Sequence, residues 1–283
     1  MPDNHKVAIV TGSASGIGYE TALILARNGF RTFATVRNVE KAKTLSEIAK
    51  KEQLQLKILK LDVTDEKSVN DAIKNIKSDA GRIDVLVNNA GYGLGGALED
   101  ISMNELKAQF ETNVFGLIRV TQAVLPTMRE QKSGIIVNIS SIGGKIALPY
   151  FSPYISTKFA VEGLSESIAY DLEPFGIKVV LIEPGAIKTN FDSGMVMPAK
   201  SRDSGSPYFK NMQQVLGLMN SMLQNGSLPD KVAKVVLEAV TSQSPNLRYT
   251  AGDDAAFLVQ KRKELSDLEF KKFVSEFLSK SST

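Results

Sequence analysis

Short aliphatic runs that are apolar on both faces recur along this chain, separated by stretches of helical periodicity, and this alternation limits what the chain can fold into. Val7-Ala-Ile-Val10 and Gly134-Ile-Ile-Val-Asn138 offer water no polar face. Strands of that kind belong inside a parallel sheet covered by helices on both sides. Further strands are expected at 31–36, 56–61, 85–88, 179–182 and near 247–250, with helices over 17–28, 39–52, 65–77, 102–129, 154–172 and 230–240. Strand–helix units joined by right-handed crossovers give an α/β, doubly wound sheet flanked by helices.

Local signals set the boundaries. Thr64-Asp65 is placed to cap the third helix, Gly29 and Gly176 sit where helices need a left-handed stop, and Pro153 suits the first turn of the helix carrying Tyr154. Pro126 is expected to bend or interrupt the long stretch over 102–129. The 283 residues are read as one Rossmann-type domain, 1–283. The rhythm breaks over 186–228, where Gly194, Pro198, Gly205, Pro207, Gly217 and Gly226 punctuate an apolar segment. We expect a mobile substrate-binding lid of short helices there.

Composition removes several functions. The net charge of +3 is spread among mixed-sign patches, so no basic stripe points to nucleic acid. With no cysteine and the single His5, neither a disulfide framework nor a thiolate or histidine metal site is expected, and catalysis must rest on oxygen and ammonium groups. No signal-like apolar region opens the chain, and no stretch reaches the roughly 20 apolar residues of a membrane span. A cytoplasmic protein without a membrane span is the expectation.

The first strand leads into Thr11-Gly-Ser-Ala-Ser-Gly-Ile-Gly18. Gly12, Gly16 and Gly18 let the backbone turn tightly against a pyrophosphate, while Ser15 and Ile17 begin a helix whose N–H groups face an anion. This reads as a dinucleotide site, although the three residues between Gly12 and Gly16 depart from the usual glycine spacing. After the second strand, where an acidic residue would hold the ribose of NAD(H), stands Arg37, a guanidinium suited to a 2′-phosphate. NADP(H) is therefore expected over NAD(H). Asp62, followed by Val63, is placed either to accept from the adenine amino group or to cap the next turn. Asn89, Ala90 and Gly91 end the fourth strand with small residues that leave room for a planar ring.

Tyr154 and Lys158 lie four apart on one helix face, where an ammonium beside a phenol favours proton exchange. Ser141 lies thirteen residues upstream and Asn113 sits mid-helix. With Thr11-Gly-x-x-x-Gly-x-Gly18, Asn88-Asn-Ala-Gly91 and Pro184-Gly-x-Ile187-x-Thr189, these residues fall in the pattern and order of the short-chain dehydrogenase/reductase family, which the chain resembles over residues 7–190. The resemblance implies a parallel seven-stranded sheet in the order 3-2-1-4-5-6-7, and a homodimer or homotetramer packed through the helices after strands four and five. It implies Tyr154 as acid/base, Lys158 lowering its pKa and holding the nicotinamide ribose, and Ser141 rather than Ser140 as donor to the substrate oxygen. Asn113 would hold a water serving Lys158, satisfy a helix distortion, or do both, and Pro184, Gly185, Ile187 and Thr189 would position the carboxamide. The tail Arg248-Tyr-Thr-Ala-Gly252 is similar to members acting on steroids and retinoids.

The function expected is an NADP(H)-dependent oxidoreductase interconverting a small-molecule ketone or aldehyde and its alcohol. Phe191, Met195, Met197, Met212, Met219 and Met222 of the lid either line a pocket for a bulky apolar substrate or pack the lid onto the body. Tyr92, Leu94, Pro149 and Tyr150 are candidates for its walls. The competing class is a dinucleotide-binding sensor or scaffold without turnover.

Overall fold

A computed structural model describes residues 5–189 and 195–280. The chain runs β1 (Val7–Thr11), α1 (Gly16–Arg27), β2 (Arg31–Val36), α2 (Lys43–Lys51), β3 (Leu56–Lys60), α3 (Glu66–Ala80) and β4 (Val85–Asn88). It continues with α4 (Met103–Phe110), α5 (Gly116–Gln131), β5 (Gly134–Ile139), α6 (Ser152–Leu172), β6 (Ile177–Pro184) and α7 (Phe209–Gln224), then α8 (Pro229–Thr241), β7 (Arg248–Ala251), α9 (Asp253–Glu264) and α10 (Asp267–Lys280). The strands form one seven-stranded sheet in the order β3-β2-β1-β4-β5-β6-β7, every pairing parallel. The sheet order implied by the resemblance is the one observed.

Alternation along each strand divides the core between two faces. Ala8, Val10, Ala34, Val85 and Val137 pack against Ala22, Leu23 and Leu25 of α1 and Val232, Val236 and Ala239 of α8. Val7, Ile9, Phe33, Leu86 and Ile136 point the other way, onto Val69, Ile73 and Ile76 of α3 and Val120, Val124 and Met128 of α5. Each such side chain contributes about 1.5–3 kcal/mol by leaving water. Two covered faces make both-sided apolar strands obligatory, as the sequence indicated. All the parallel strands therefore present their carboxyl ends along one edge, where the connecting loops build a crevice.

The boundary signals act mostly as expected. The Asp65 carboxylate accepts from Ser68 N (3.1 Å) to cap α3, Gly29 and Gly176 adopt φ of +82° and +68°, and Pro153 lies in the first turn of α6. The long helix breaks elsewhere than expected. Pro126 stays inside α5, and the interruption is a wide π turn over Glu111–Phe115, centred on Asn113. Pro126 removes only its own N–H from the ladder, whereas Asn113 gains side-chain partners from the wider turn.

The lid segment also differs from its expectation of short helices. It contains one turn at Lys200–Arg202 and the 16-residue α7, with Gly217 inside the helix. Met212, Val215, Leu216 and Met219 give α7 an apolar stripe that compensates for that glycine. Phe191 and the rest of 190–194 lie outside the described residues. Among the described residues no helix is long and apolar enough to cross a membrane, and no cluster of His, Asp or Glu is placed to hold a metal ion.

Candidate active site

The glycine turn between β1 and α1 is held from the β4 side. Asn89 Nδ2 donates to Thr11 O (2.9 Å) and Gly12 O (3.2 Å), while Thr11 Oγ1 accepts from the N–H groups of Asn89 and Ala90 (3.0 Å each). A Cβ on Gly12 would sit 2.9 Å from Ala90 Cα, and one on Gly18 would sit 2.4 Å from Asn89 Nδ2 and 2.6 Å from Gly12 O. Gly12 and Gly16 have φ of +69° and +60°. The turn is thus as tight as glycine allows. No side chain caps α1 at Ser15 and no acidic residue lies in its first turn, so its positive end, from Gly16 and Ile17 onward, is available to an anion. These residues fit a pyrophosphate.

Arg37 lies exposed just past β2 and forms no ion pair among the described residues. Burial raises the Tyr92 pKa, and the charge of Arg37 offsets that rise in part. Asp62 Oδ1 accepts from Thr64 N (3.0 Å) and Thr64 Oγ1 (2.8 Å), so the turn-capping role is the one in use by that oxygen. Val63 is buried against Gly116, with its carbonyl accepting from Arg119.

Ser141, Tyr154 and Lys158 converge beyond β5. The Tyr154 hydroxyl is hydrogen-bonded to Ser141, whose Oγ also accepts from Gly143 N (3.0 Å). Lys158 Nζ donates to Ile139 O (2.8 Å) and lies 5.6 Å from the centroid of the Tyr154 ring. Ser140 points away, its buried hydroxyl without a hydrogen-bond partner. Of the two serines, Ser141 is the one that bonds Tyr154. Asn113 reaches the same region from the π turn, with Nδ2 donating to Tyr92 O (2.9 Å) and Thr157 Oγ1 (3.1 Å) and Oδ1 accepting from Tyr92 N (3.1 Å). Asn113 therefore ties the loop after β4 to the helix turn that presents Lys158. None of these side-chain bonds goes to the backbone of the π turn itself.

Burial dominates the electrostatics. It pushes the Tyr154 phenol up to about 12, with the Ser141 hydrogen bond lowering it in part. Burial draws Lys158 down to about 8, opposed by the charge of Glu162. The protein alone thus raises the Tyr154 pKa, where the proximity of Lys158 led us to expect a lowering. At neutral pH the phenol keeps its proton and the ammonium is largely charged, a pair disposed to donate.

The loop after β6 closes the crevice. Thr189 Cβ and Cγ2 lie 3.3 Å from where a Cβ on Gly16 would sit, so the Pro184–Thr189 segment meets the glycine turn. Ile187 bridges to Ser227, and Lys188 N donates to Ser227 O (2.8 Å). Asp254 of α9, not foreseen from the sequence, grips this loop: its carboxylate accepts from Ala186 N (2.6 Å) and occupies the space a Cβ on Gly185 would need, at 2.3–2.6 Å. Asp254 lies 68 residues from Ala186, and a helical carboxylate gives no local hint of such a partner.

Over the Tyr154 ring, Phe151, Ile155 and Tyr150 of the loop and α6 pack with Met195, Val215, Leu216 and Met219 of the lid. Of the expected walls, Leu94 is buried in a bridge to Val196, and Pro149 lines an apolar cavity with Met219, Met222, Leu258 and Phe273. The Tyr150 side chain instead borders a shallow dish with Glu99, Ser152 and Tyr208. The surroundings of the Tyr154 phenol are apolar apart from Ser141 and Lys158.

Comparison with known proteins places this arrangement among relatives. The family described as short chain dehydrogenase matches residues 6–197. The chain is 42% identical over 257 residues to an uncharacterized oxidoreductase, YusZ, of Bacillus subtilis, covering 88% of this chain and 90% of the relative. It is 36% identical over 260 residues to retinol dehydrogenase 8 of Bos taurus, covering 88% and 82%. The crystal structure of a short-chain dehydrogenase from Streptomyces avermitilis superposes with a TM-score of 0.82 at 33% identity, covering 100% of this chain and 99% of that one. With the β3-to-β7 sheet order, the glycine turn and the Ser141–Tyr154–Lys158 group already in view, these matches establish that the chain belongs to the short-chain dehydrogenase family.

Proposed function

We propose that the protein is an NADP(H)-dependent oxidoreductase that interconverts a bulky apolar ketone or aldehyde and its alcohol, with Tyr154 as the acid/base. The observation that carries the reading is the convergence of a protonated phenol, a hydroxyl and an ammonium at the carboxyl edge of the sheet, beside a glycine cradle. A sensor that only bound the dinucleotide would have no use for a buried proton donor.

When bound, a reduced nicotinamide supplies the hydride that reaches the carbonyl carbon. Tyr154 gives its proton to the carbonyl oxygen. Ser141, whose Oγ accepts from Gly143 N and which is hydrogen-bonded to Tyr154 in the free site, would turn its O–H to that oxygen as negative charge builds. Lys158 contributes positive charge beside Tyr154 and N–H donors for the nicotinamide ribose hydroxyls, and Asn113 keeps the Lys158 turn in register with the loop after β4. Gly12, Ser15, Gly16, Ile17 and Gly18 cradle the pyrophosphate, with Asn89, Ala90 and Gly91 forming the opposite wall. Asp62 and Val63 border the adenine, and Pro184, Gly185, Ile187 and Thr189 hold the carboxamide. Arg37 takes the 2′-phosphate, which its exposed and unpaired guanidinium supports. The apolar cover of Tyr154, with Met195 and with Val215, Leu216 and Met219 of α7, supports an apolar substrate whose shape varies.

The test is a panel of steroid, retinoid and aliphatic ketones and aldehydes, followed by NADPH and NADH oxidation in wild type and Arg37→Glu. Turnover of an apolar carbonyl with NADPH, and a preference moved at least tenfold toward NADH by Arg37→Glu, is the expected result. An unchanged preference overturns the role of Arg37, and no oxidation with any carbonyl overturns the enzymatic reading.

A further inference from the structure

Behind the Tyr154–Lys158 pair lies a buried charge cluster that the proposed chemistry does not use. Glu162 follows Lys158 by one turn of α6 and is 5% exposed; Glu183 of β6 is 3% exposed. Arg248 of β7 meets both, with Nε 2.9 Å from Glu162 Oε2 and 3.5 Å from Glu183 Oε1, and reaches the more exposed Glu166 as well. The remaining oxygen of Glu162 and the Glu183 Oε1 have no hydrogen-bond donor, nor has the neighbouring Ser140 hydroxyl. Gly144 is what lets the cluster close: a Cβ there would stand 2.8 Å from Glu162 Cγ and Ser140 Oγ and 3.2 Å from Lys158 O.

Burying two carboxylates costs several kcal/mol unless their charge serves a partner, and one arginine shared among three carboxylates leaves negative charge over. Of the other cations facing the cluster, Lys158 is the one on the same helix face as Glu162, at the spacing where side chains interact. We propose that Glu162 is a positioning residue of the active site, the buried counter-charge that keeps the Lys158 ammonium protonated, with Arg248 regulating how much of that negative charge Lys158 experiences. The inference deepens the proposed function and rests on it for its catalytic meaning. The groups facing the cluster are Lys158, Glu162 and Glu166 on α6, Glu183 on β6, Arg248 on β7, Lys145 in the loop after β5 and Lys263 on α9. Glu183 is held above its ordinary carboxylate range by burial and then by the charge of Glu162. The charge of Glu162 already counters part of the downward pull of burial on Lys158.

The experiment follows the Lys158 titration directly, in protein labelled with carbon-13 at the lysine Cε and with the resonance assigned by its loss in Lys158→Arg. Glu162→Gln is expected to lower the midpoint by about one pH unit, a tenfold loss of proton affinity, and Glu162→Asp to restore most of it. Arg248→Gln is expected to move the midpoint the other way, since it frees Glu162 to act on Lys158 alone. A general loosening of the fold would not produce opposite signs. Should Glu162→Gln fail to fold, the Arg248→Gln shift decides alone. A Lys158 midpoint within about 0.2 unit of wild type in the folded variants overturns the proposal. Because the readout needs no substrate, its failure is distinct from a failure to find turnover.

Discussion

Tyr154 and Lys158 experience the same burial and respond in opposite directions, the phenol upward to about 12 and the ammonium downward to about 8. A low-polarity site disfavours whichever form is charged, so it protects the acid's proton and loosens the lysine's. The proposed reduction needs Tyr154 protonated and Lys158 cationic. Both conditions hold below pH 8, and the first to fail on raising pH is Lys158. The rate of carbonyl reduction, measured as kcat/KM across pH 6–10, is therefore expected to stay level at neutral pH and to fall above about 8. A profile level to pH 10 would contradict the assignment of Lys158. Tyr154 and Lys158 could be singled out in the sequence because helical spacing alone puts i and i+4 on one face. The direction of the Tyr154 shift could not, because it depends on how many apolar groups from the lid and loops close over the ring.

At the scale of elements, the crevice is held by contacts between segments far apart in the chain. The β1–α1 turn is braced by Asn89, the α4–α5 junction by Asn113 and the loop after β6 by Asp254. Asn88 and Asn138 continue this pattern inside the sheet, where Asn88 Nδ2 donates to Asn138 Oδ1 (2.9 Å) and Asn138 Nδ2 to Ser165 Oγ (2.8 Å). Asp254→Ala should free the Pro184–Thr189 loop, raising the KM for NADPH several-fold while kcat at saturation changes less, and lowering stability by about 1–3 kcal/mol through the unsatisfied Ala186 N–H. Steady-state kinetics and thermal melting check both effects. Gly185→Ala should act similarly, because its Cβ must displace the Asp254 carboxylate. An unaltered NADPH KM in both variants would remove the clamp from the account. The glycine turn was legible because strand, glycines and helix lie next to one another in sequence. The Asp254 clamp, the π turn at Asn113 and the full length of α7 were not: each is decided by a partner distant in the chain, and Gly217 read locally as a breaker where a buried stripe sustains the helix.

Over the whole molecule, both-sided apolar strands fixed the class of fold, and the family resemblance fixed the order of the strands, which local sequence does not encode. The resemblance also implies association through the helices after β4 and β5. Phe115 at the end of the π turn before α5 and Phe159 on α6 are 50% and 48% exposed, an arrangement suited to burial against a second copy. Light scattering should find wild type as a dimer or tetramer and Phe159→Glu shifted toward monomer; a monomeric wild type would remove that proposal.

The most direct test of the account is Tyr154→Phe, which deletes one oxygen from a ring that remains packed against Ile155, Val215 and Met219. NADPH binding followed by fluorescence titration should stay within about twofold of wild type, while kcat for carbonyl reduction falls by about 10²–10⁴-fold. Retention of kcat within about tenfold, with cofactor binding intact, would show that the proton comes from elsewhere and contradict the central claim.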